Sequence, residues 1–493
     1  MVAALIKVIY SGAEDVRLGT RKEVVQRLHP YIAQYKAPRQ GRATTQLVRL
    51  DFISTPDFGK SVSAVIPRKG HFVRRIFLVT TPPNLDEDRV TLGADAPQFG
   101  YTNSIGHALI GEASIDIGGA HIDTLNGRLM EVLDERYTPL EKVPTVNRLI
   151  GRTDQEIADG IPSQTLHIPL PFWFSSNDTA AALPIDAISR DEVRLNITFD
   201  TLANIYYTES RNPDTQGLYT IDSPTYYKYS TDDTGELHPE ISLLEDYYGT
   251  KLVQAGKGRP IAEHHLGDTY ILAEYVYVDA PEANRFRMAD LNIPLKQHVI
   301  MQPVATEGRS EVQIPLRIGN PVANIHFFLQ NVAATTYNHP FLATREISPA
   351  MIANQPSPVI WQPRAIGLSD SWTGTLRPGF LRANSEPIRG LTLRYHGQLI
   401  RYSSDFPVQY RTIMPLTHGG AQKTAWHWRY YYTLPFGEST ANYDKIERVN
   451  LELRMAPRRG QLNTTSAENC MVYIFAETSN ILRIFGGRAG LLF

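Results

Sequence analysis

The chain has 493 residues, too many for one ordinary hydrophobic core, so two or three domains are expected. Hydrophobic content of 42% with 20% charged residues fits a folded product, and Lys+Arg 49 against Asp+Glu 51 excludes the basic footprint of a nucleic-acid-binding surface. A lone cysteine, Cys470, excludes an intrachain disulfide; it precedes the apolar run Met471 to Phe475 and reads as a buried, inert thiol.

No stretch approaches the ~18 apolar residues needed to span a bilayer. The opening MVAALIKVIY holds Lys7 and no small-residue cleavage site, so the sequence predicts a soluble intracellular product. Residues 1–36 read as an N-terminal arm with local helix: Val24, Val25, Leu28 and Ile32 are spaced for one face, and Pro30 interrupts them.

From about residue 42 the pattern turns to β. Val62, Ala64 and Ile66 alternate with polar residues before the turn Pro67 to Gly70, and a returning strand runs Phe72 to Thr80. Arg74-Arg75, like Arg458-Arg459, reads as a solvated strand end. Ser114 to Ile117, Gly118-Gly119 and Ala120 to Asp123 form a two-residue hairpin signal. Leu125, Leu129, Met130 and Leu133 then take helical spacing up to Tyr137, with Asp134-Glu135 read as its solvated face.

Residues His167 to Phe199 predict two strand-like segments. The first carries Phe172, Trp173 and Phe174 beside Pro169 and Pro171; the second alternates Val193, Leu195, Ile197 and Phe199 with polar residues. Residues 200–268 are Tyr-rich and weakly periodic, which reads as a long insertion without clear elements. A strand resumes at Tyr270 to Val278, and Asp279-Ala280-Pro281-Glu282 starts a helix running to about Leu291. In the second half Val312, Ile314, Leu316 and Ile318 alternate. Leu391 to Tyr395 turns at His396-Gly397, and Val449, Leu451, Leu453 and Met455 alternate again. Two consecutive β-sandwiches separated by one helix is the natural parse.

The catalytic lookalikes are incomplete. Gly59-Lys60-Ser61 resembles the end of a phosphate-binding loop, but Ser54 stands where its first glycine is needed and a strand follows. His121 and Asp123 have the spacing of two ligands of a metal triad, with His264, His265, His326, His396 or His418 as a distal third; surface polarity beside the glycine turn is the preferred reading. Glu263, His264 and Asp268 make a loose metal set in the insertion. Gly437-Glu438-Ser439-Thr440-Ala441 lacks the second glycine of a nucleophile elbow. The sequons at Asn177, Asn196 and Asn463 matter only in a secreted product. Trp426 to Tyr432 could stack on bases or sugars, yet without surrounding positive charge it reads as core or subunit interface.

Several segments, in order, carry a family resemblance. They are Ser11 to Val16; Phe58-Gly59-Lys60 with Val65 to Gly70; Asn103-Ser104-Ile105 through Gly118-Gly119 to Ile122-Asp123; Ile168 to Phe174; Ala182-Leu183-Pro184; Asp191 to Arg194; Tyr275 to Asp279 with Glu282, Arg285 and Phe286; and Asn480 to Leu491. Together they resemble the double jelly-roll major capsid proteins of nucleocytoplasmic large double-stranded DNA viruses, iridovirus- and phycodnavirus-like. The residues at 200–268 and 333–390 follow no pattern of that family.

The resemblance implies an all-β chain of two consecutive eight-stranded antiparallel jelly rolls with a few short helices. Its divisions are an arm at 1–36, a first jelly roll at 37–280 with the insertion 200–268, a linker helix at 281–292 and a second jelly roll at 293–493. It implies a structural protein with no catalytic residue, cofactor or metal, whose homotrimers form pseudo-hexagonal capsomers of an icosahedral shell. The implied partners are neighbouring capsomers, minor capsid proteins and an internal membrane touched by the N-terminal arm, with no direct nucleic-acid contact. The implied place is the virion, assembled in the host cytoplasm. The alternatives are a minor double jelly-roll capsid paralogue, a jelly-roll metal-dependent oxygenase using His121 and Asp123, and a glycan-binding β-sandwich using Trp426 to Tyr432. Phe172 and Trp173 are expected as buried core or intersubunit anchors.

Overall fold

A computed structural model describes residues 43–84, 98–152, 164–175, 181–211, 219–222, 227–231, 237–241, 264–332, 340–341, 343, 386–417, 430–436, 441–457, 467 and 469–492. The expected N-terminal arm, Arg458-Arg459, Asn177, Glu263, His418, Trp426 to Arg429, Gly437 to Thr440 and Asn463 lie outside these residues.

Sixteen strands build the walls, numbered here in chain order. The first eight are β1 (Thr44–Leu50), β2 (Ser61–Val65), β3 (Phe72–Thr80), β4 (Ile110–Ile117), β5 (Ala120–Leu125), β6 (Leu166–Pro169), β7 (Val193–Phe199) and β8 (Tyr270–Tyr277). They pair as two antiparallel sheets with the orders β1-β8-β3-β6 and β2-β7-β4-β5. The second eight are β9 (Leu291–Ile300), β10 (Glu311–Leu316), β11 (Pro321–Asn331), β12 (Ile388–Tyr395), β13 (Leu399–Ser404), β14 (Tyr432–Pro435), β15 (Val449–Met455) and β16 (Cys470–Phe485). Their orders are β9-β16-β11-β14 and β10-β15-β12-β13, the first pair of orders with every strand number raised by eight. This is a double jelly roll, two copies of one topology in tandem.

Local chemistry explains the strands. In β7, Val193, Leu195, Ile197 and Phe199 are buried while Arg194 and Thr198 face solvent, the period-2 pattern of a wall with one wet side. Gly118 and Gly119 both take positive φ, 60° and 82°, which is what a two-residue hairpin between β4 and β5 requires. Helix α1 (Gly127–Tyr137) is capped by Asn126, whose Oδ1 accepts a 2.8 Å bond from the Leu129 amide.

Several expectations are corrected. The aromatic segment is a strand only to Pro169; beyond it Trp173–Ser175 forms a tight helical turn, because Pro171 cannot donate to a ladder. Phe172 and Trp173 are buried as expected, and Phe174 is buried beside them. The region read as lacking elements carries the short strands Tyr206–Arg211, Tyr219–Asp222, Tyr227–Thr231 and Leu237–Ile241. Helix α2 (Val143–Leu149) follows α1; helix α3 (Ala280–Met288) stops before Leu291, where β9 begins, so the helix is shorter than its sequence pattern suggests. Arg74 and Arg75 are half-buried inside β3, not at its end, with Arg75 facing Glu274 at 3.7 Å.

The face Asp134-Glu135 is not solvated. Asp134 receives Arg152 Nη1 at 2.5 Å, and Glu135 is buried. Arg152 also donates to Glu131 at 2.6 Å and to Ser104 Oγ at 2.8 Å, and His107 Nδ1 meets the same Glu131 oxygen at 2.6 Å. Arg152 faces two acids inside the first jelly roll, and these buried groups and the His107 ring satisfy one another's hydrogen bonds.

Candidate functional site

The most heavily invested polar site is the seam between the two jelly rolls. β9 packs along β5, the last strand of its sheet. The Gln297 side chain donates to the Ile122 carbonyl, and the His298 amide donates to Asp123 Oδ1 at 2.8 Å. The His298 ring lies 3.1 Å from Asp123 Oδ2, both side chains buried. Burial disfavours the imidazolium, but the charge and hydrogen bond of Asp123, with Glu477 behind it, hold its pKa above the ordinary value.

α1 supplies the second set of seam contacts. Arg136, fully buried, donates to the carbonyls of Arg411 (3.1 Å) and Tyr431 across the seam. Burial pushes its pKa down to about 10, still well above neutrality. Tyr137 Oη donates to Glu477 at 2.9 Å, and Asn324 Nδ2 reaches the same carboxylate at 2.6 Å. Burial works against the Glu477 carboxylate, yet His326, Lys296 and His298 hold its pKa well below the usual range. Arg128 lies 4.5 Å over the Tyr473 ring, another tie from α1 to the second jelly roll.

Apolar packing runs through the same seam. Leu295, Phe328, Tyr431, Phe475, Leu482 and Ile484 of the second half join the hydrophobic cluster of the first. At the ends, the Arg190 amide donates to Gly487 O and the Ala489 amide to Asp191 Oδ2, both at 2.9 Å. α3 is tied down by Arg287 on Asp186 at 2.6 Å and by Phe286 edge-on to Phe72 at 4.9 Å. Such a seam resists hinge motion, since each buried polar group would lose its partner on opening.

The sequence-selected residues are scattered. His121 is exposed, bonded to Asp116 and Thr124, while Asp123 turns inward to His298, so the two do not converge. His265 binds Asp57 at 2.8 Å and Asp268 binds Arg49. His326 is buried against Thr433, and His396 sits in the β12–β13 turn. Gly59 turns at φ 68° and Lys60 pairs with Asp57, ahead of β2. Tyr430, Tyr431 and Tyr432 are buried, as is Cys470. Among the described residues no three His, Cys, Asp or Glu groups are placed to hold a metal.

Sequence reasoning missed the seam residues, though two signals were present. In β9 the buried-face series Leu291, Ile293, Leu295 is broken by Gln297, and in β16 the apolar run is broken by Glu477-Thr478-Ser479-Asn480. Polar residues in a strand otherwise shaped for burial mark a buried partner.

Residues 36–248 match the family described as major capsid protein N-terminus. "Probable capsid protein 4" of Acanthamoeba polyphaga mimivirus is 27% identical over 57% of this chain, and the major capsid protein of Pyramimonas orientalis virus 26% identical over 57%. The alignments span 64% and 65% of those proteins' own lengths. The major capsid protein of Phaeocystis pouchetii virus is 22% identical with both chains covered in full. Among solved structures, PBCV-1 VP54 superposes with a TM-score of 0.64 at 16% identity, covering 92% of this chain and 98% of its own. The Faustovirus major capsid protein superposes at 0.58 with 12% identity, covering 98% and 99%. In sequence and in fold, the chain resembles the double jelly-roll major capsid proteins of nucleocytoplasmic large double-stranded DNA viruses.

Proposed function

We propose that this chain is a structural tile of a viral shell, a major capsid protein whose homotrimers form pseudo-hexagonal capsomers around a large double-stranded DNA genome. The carrying observation is the repeat of one strand order in two jelly rolls locked by a polar and apolar seam. Two such domains in each of three copies present six near-equivalent sides. The divisions that serve this role are a first jelly roll running from the start of β1 to the end of β8, the short link helix α3 (Ala280–Met288), and a second jelly roll that begins with β9 at Leu291. The N-terminal arm would face minor capsid proteins or an internal membrane, and the tile would be placed in the virion after assembly in the host cytoplasm. Nothing in this role needs a catalytic group. The oxygenase alternative gains no support, because Asp123 is committed to His298 and His121 faces solvent.

Permanent interfaces of this kind bury on the order of 2,000–5,000 Å². Light scattering on the purified chain tests the reading. A stable species of three times 55.4 kDa is expected. A strict monomer at micromolar concentration would overturn it.

A further inference from the structure

The chain segments that enter β4, leave β7 and join β5 to α1 gather at one end of the first jelly roll, where the Asp200 amide donates to the Leu109 carbonyl. There they meet Phe341 of the second half. Between them lies a cavity of about 280 Å³ whose lining includes His107, Asn126, Arg128, Asp200, Asn204 and Phe341.

The polar side chains of this lining hold hydrogen-bonding capacity that the described residues do not use. The Arg128 guanidinium lies 4.5 Å over the Tyr473 ring, and its Nε is buried with no acceptor. Asp200 spends Oδ1 on the Thr201 amide at 2.7 Å and on Asn204 Nδ2 at 2.8 Å, which leaves its Oδ2 and the Asn204 Oδ1 as open acceptors. Asn126 spends Oδ1 on the cap of α1 and keeps Nδ2 as a donor. His107, itself buried, gives Nδ1 to Glu131 at 2.6 Å and keeps Nε2. A buried donor without an acceptor is rare in a folded protein and calls for a partner from outside the chain.

The balance of these groups selects the partner. Arg128 and Asp200 bring one charge of each sign, so an anion would face the carboxylate and a cation the guanidinium. A hydroxyl group both donates and accepts, and a ring of hydroxyls uses the two sets together. Phe341 adds an apolar wall for a carbon skeleton, the usual mixture of a small-molecule site.

We propose that this cavity binds a small polyhydroxylated ligand of the monosaccharide class. Asp200 and Asn204 accept from its hydroxyls, and Arg128 and Asn126 donate to them. The role of shell tile uses none of these atoms, so the two readings stand or fall separately.

Saturation-transfer-difference NMR on the full chain tests the site, with free glucose, galactose, mannose and fucose as the probes. At least one sugar is expected to receive saturation, and its affinity to fall about tenfold in Asp200→Asn and in Arg128→Lys. Asp200→Asn keeps the side-chain shape and an oxygen for the Thr201 amide, so its melting temperature should hold. If Arg128→Lys melts early through loss of its contact with Tyr473, Asn204→Ala takes its place in the comparison. No transfer to any of the four sugars overturns the proposal. A sugar signal that the variants leave unchanged also overturns it, because that sugar is bound elsewhere. Inorganic phosphate is the control ligand: phosphate that binds where the sugars do not makes the cavity an anion site and overturns it too.

Discussion

His298 and Asp123 stand 175 residues apart in the chain yet meet across the seam, the ring Nδ1 3.1 Å from Oδ2 with both side chains buried. Because the folded pKa of His298 is raised, its stabilising contribution is fully present below the unfolded value of about 6.5 and is lost as pH rises through the folded pKa. The melting-temperature gap between the unsubstituted chain and His298→Gln should therefore be widest below about pH 6.5 and narrow above it. A gap constant from pH 5 to pH 9 would show that the pair does not titrate as the geometry requires. Glu477, Lys296 and Arg136 face the same cluster, so the comparison is between variants at each pH and not across pH in one protein.

Arg136 should couple the two jelly rolls. Its guanidinium satisfies two main-chain carbonyls, that of Tyr431 in a buried contact, and leaving a buried acceptor without its donor costs about 1–3 kcal/mol. Arg136→Ala is expected to split the calorimetric melt into two transitions, one for each half. Arg136→Lys should restore little, since an ammonium lacks the fork that reaches both acceptors. A single unshifted transition would count against the role.

Much of the fold was legible because its cause is local. The alternation in β7, the Gly118-Gly119 turn and the buried Phe172 follow from period, backbone freedom and size within a dozen residues. The seam was not legible because its causes are distant: Asp123 looked like a surface residue beside a turn until His298 arrived from the other half of the chain. Asp134 and Glu135 misled for the same reason. Charge on a short helix reads as solvated, and Arg152, which buries with Asp134, comes from beyond the next helix.

That internal charge network should be costly to break. Glu131 accepts from Arg152 and meets His107, and Glu131→Gln keeps the shape while removing the charge that faces Arg152. A loss of about 3–5 kcal/mol is expected, visible as a lower melting temperature and reduced soluble yield. Asp134 adds an acid limit. Burial opposes its charge, but Arg152 and His107 hold its pKa below the ordinary value. Its contribution is present above the unfolded pKa of about 3.9 and is lost as pH falls through the folded one. Asp134→Asn should flatten the melting curve against pH below about 5; an unchanged acid slope would contradict the pairing.

Gly127 is the first residue of α1, and its backbone lies against the turn that precedes β4. A Cβ there would sit 2.0 Å from the His107 carbonyl oxygen and 3.1 Å from that of Ile110, and neither backbone atom can swing aside as a flexible side chain could. Gly119 is the opposite case: nothing lies within 4 Å of its Cβ position, but φ is +82°. The first substitution meets a steric wall and the second only a backbone preference. Gly127→Ala should thus cost about 1–3 kcal/mol or more by forcing α1 outward, and Gly119→Ala about 1 kcal/mol from the left-handed conformation alone. Because α1 carries Arg136 and Tyr137 into the seam, only Gly127→Ala should also loosen the second jelly roll. Hydrogen exchange at β14 and β16 reads this directly: faster exchange there in Gly127→Ala and not in Gly119→Ala is the expected result, and equal exchange in both would show that α1 does not transmit its position across the seam.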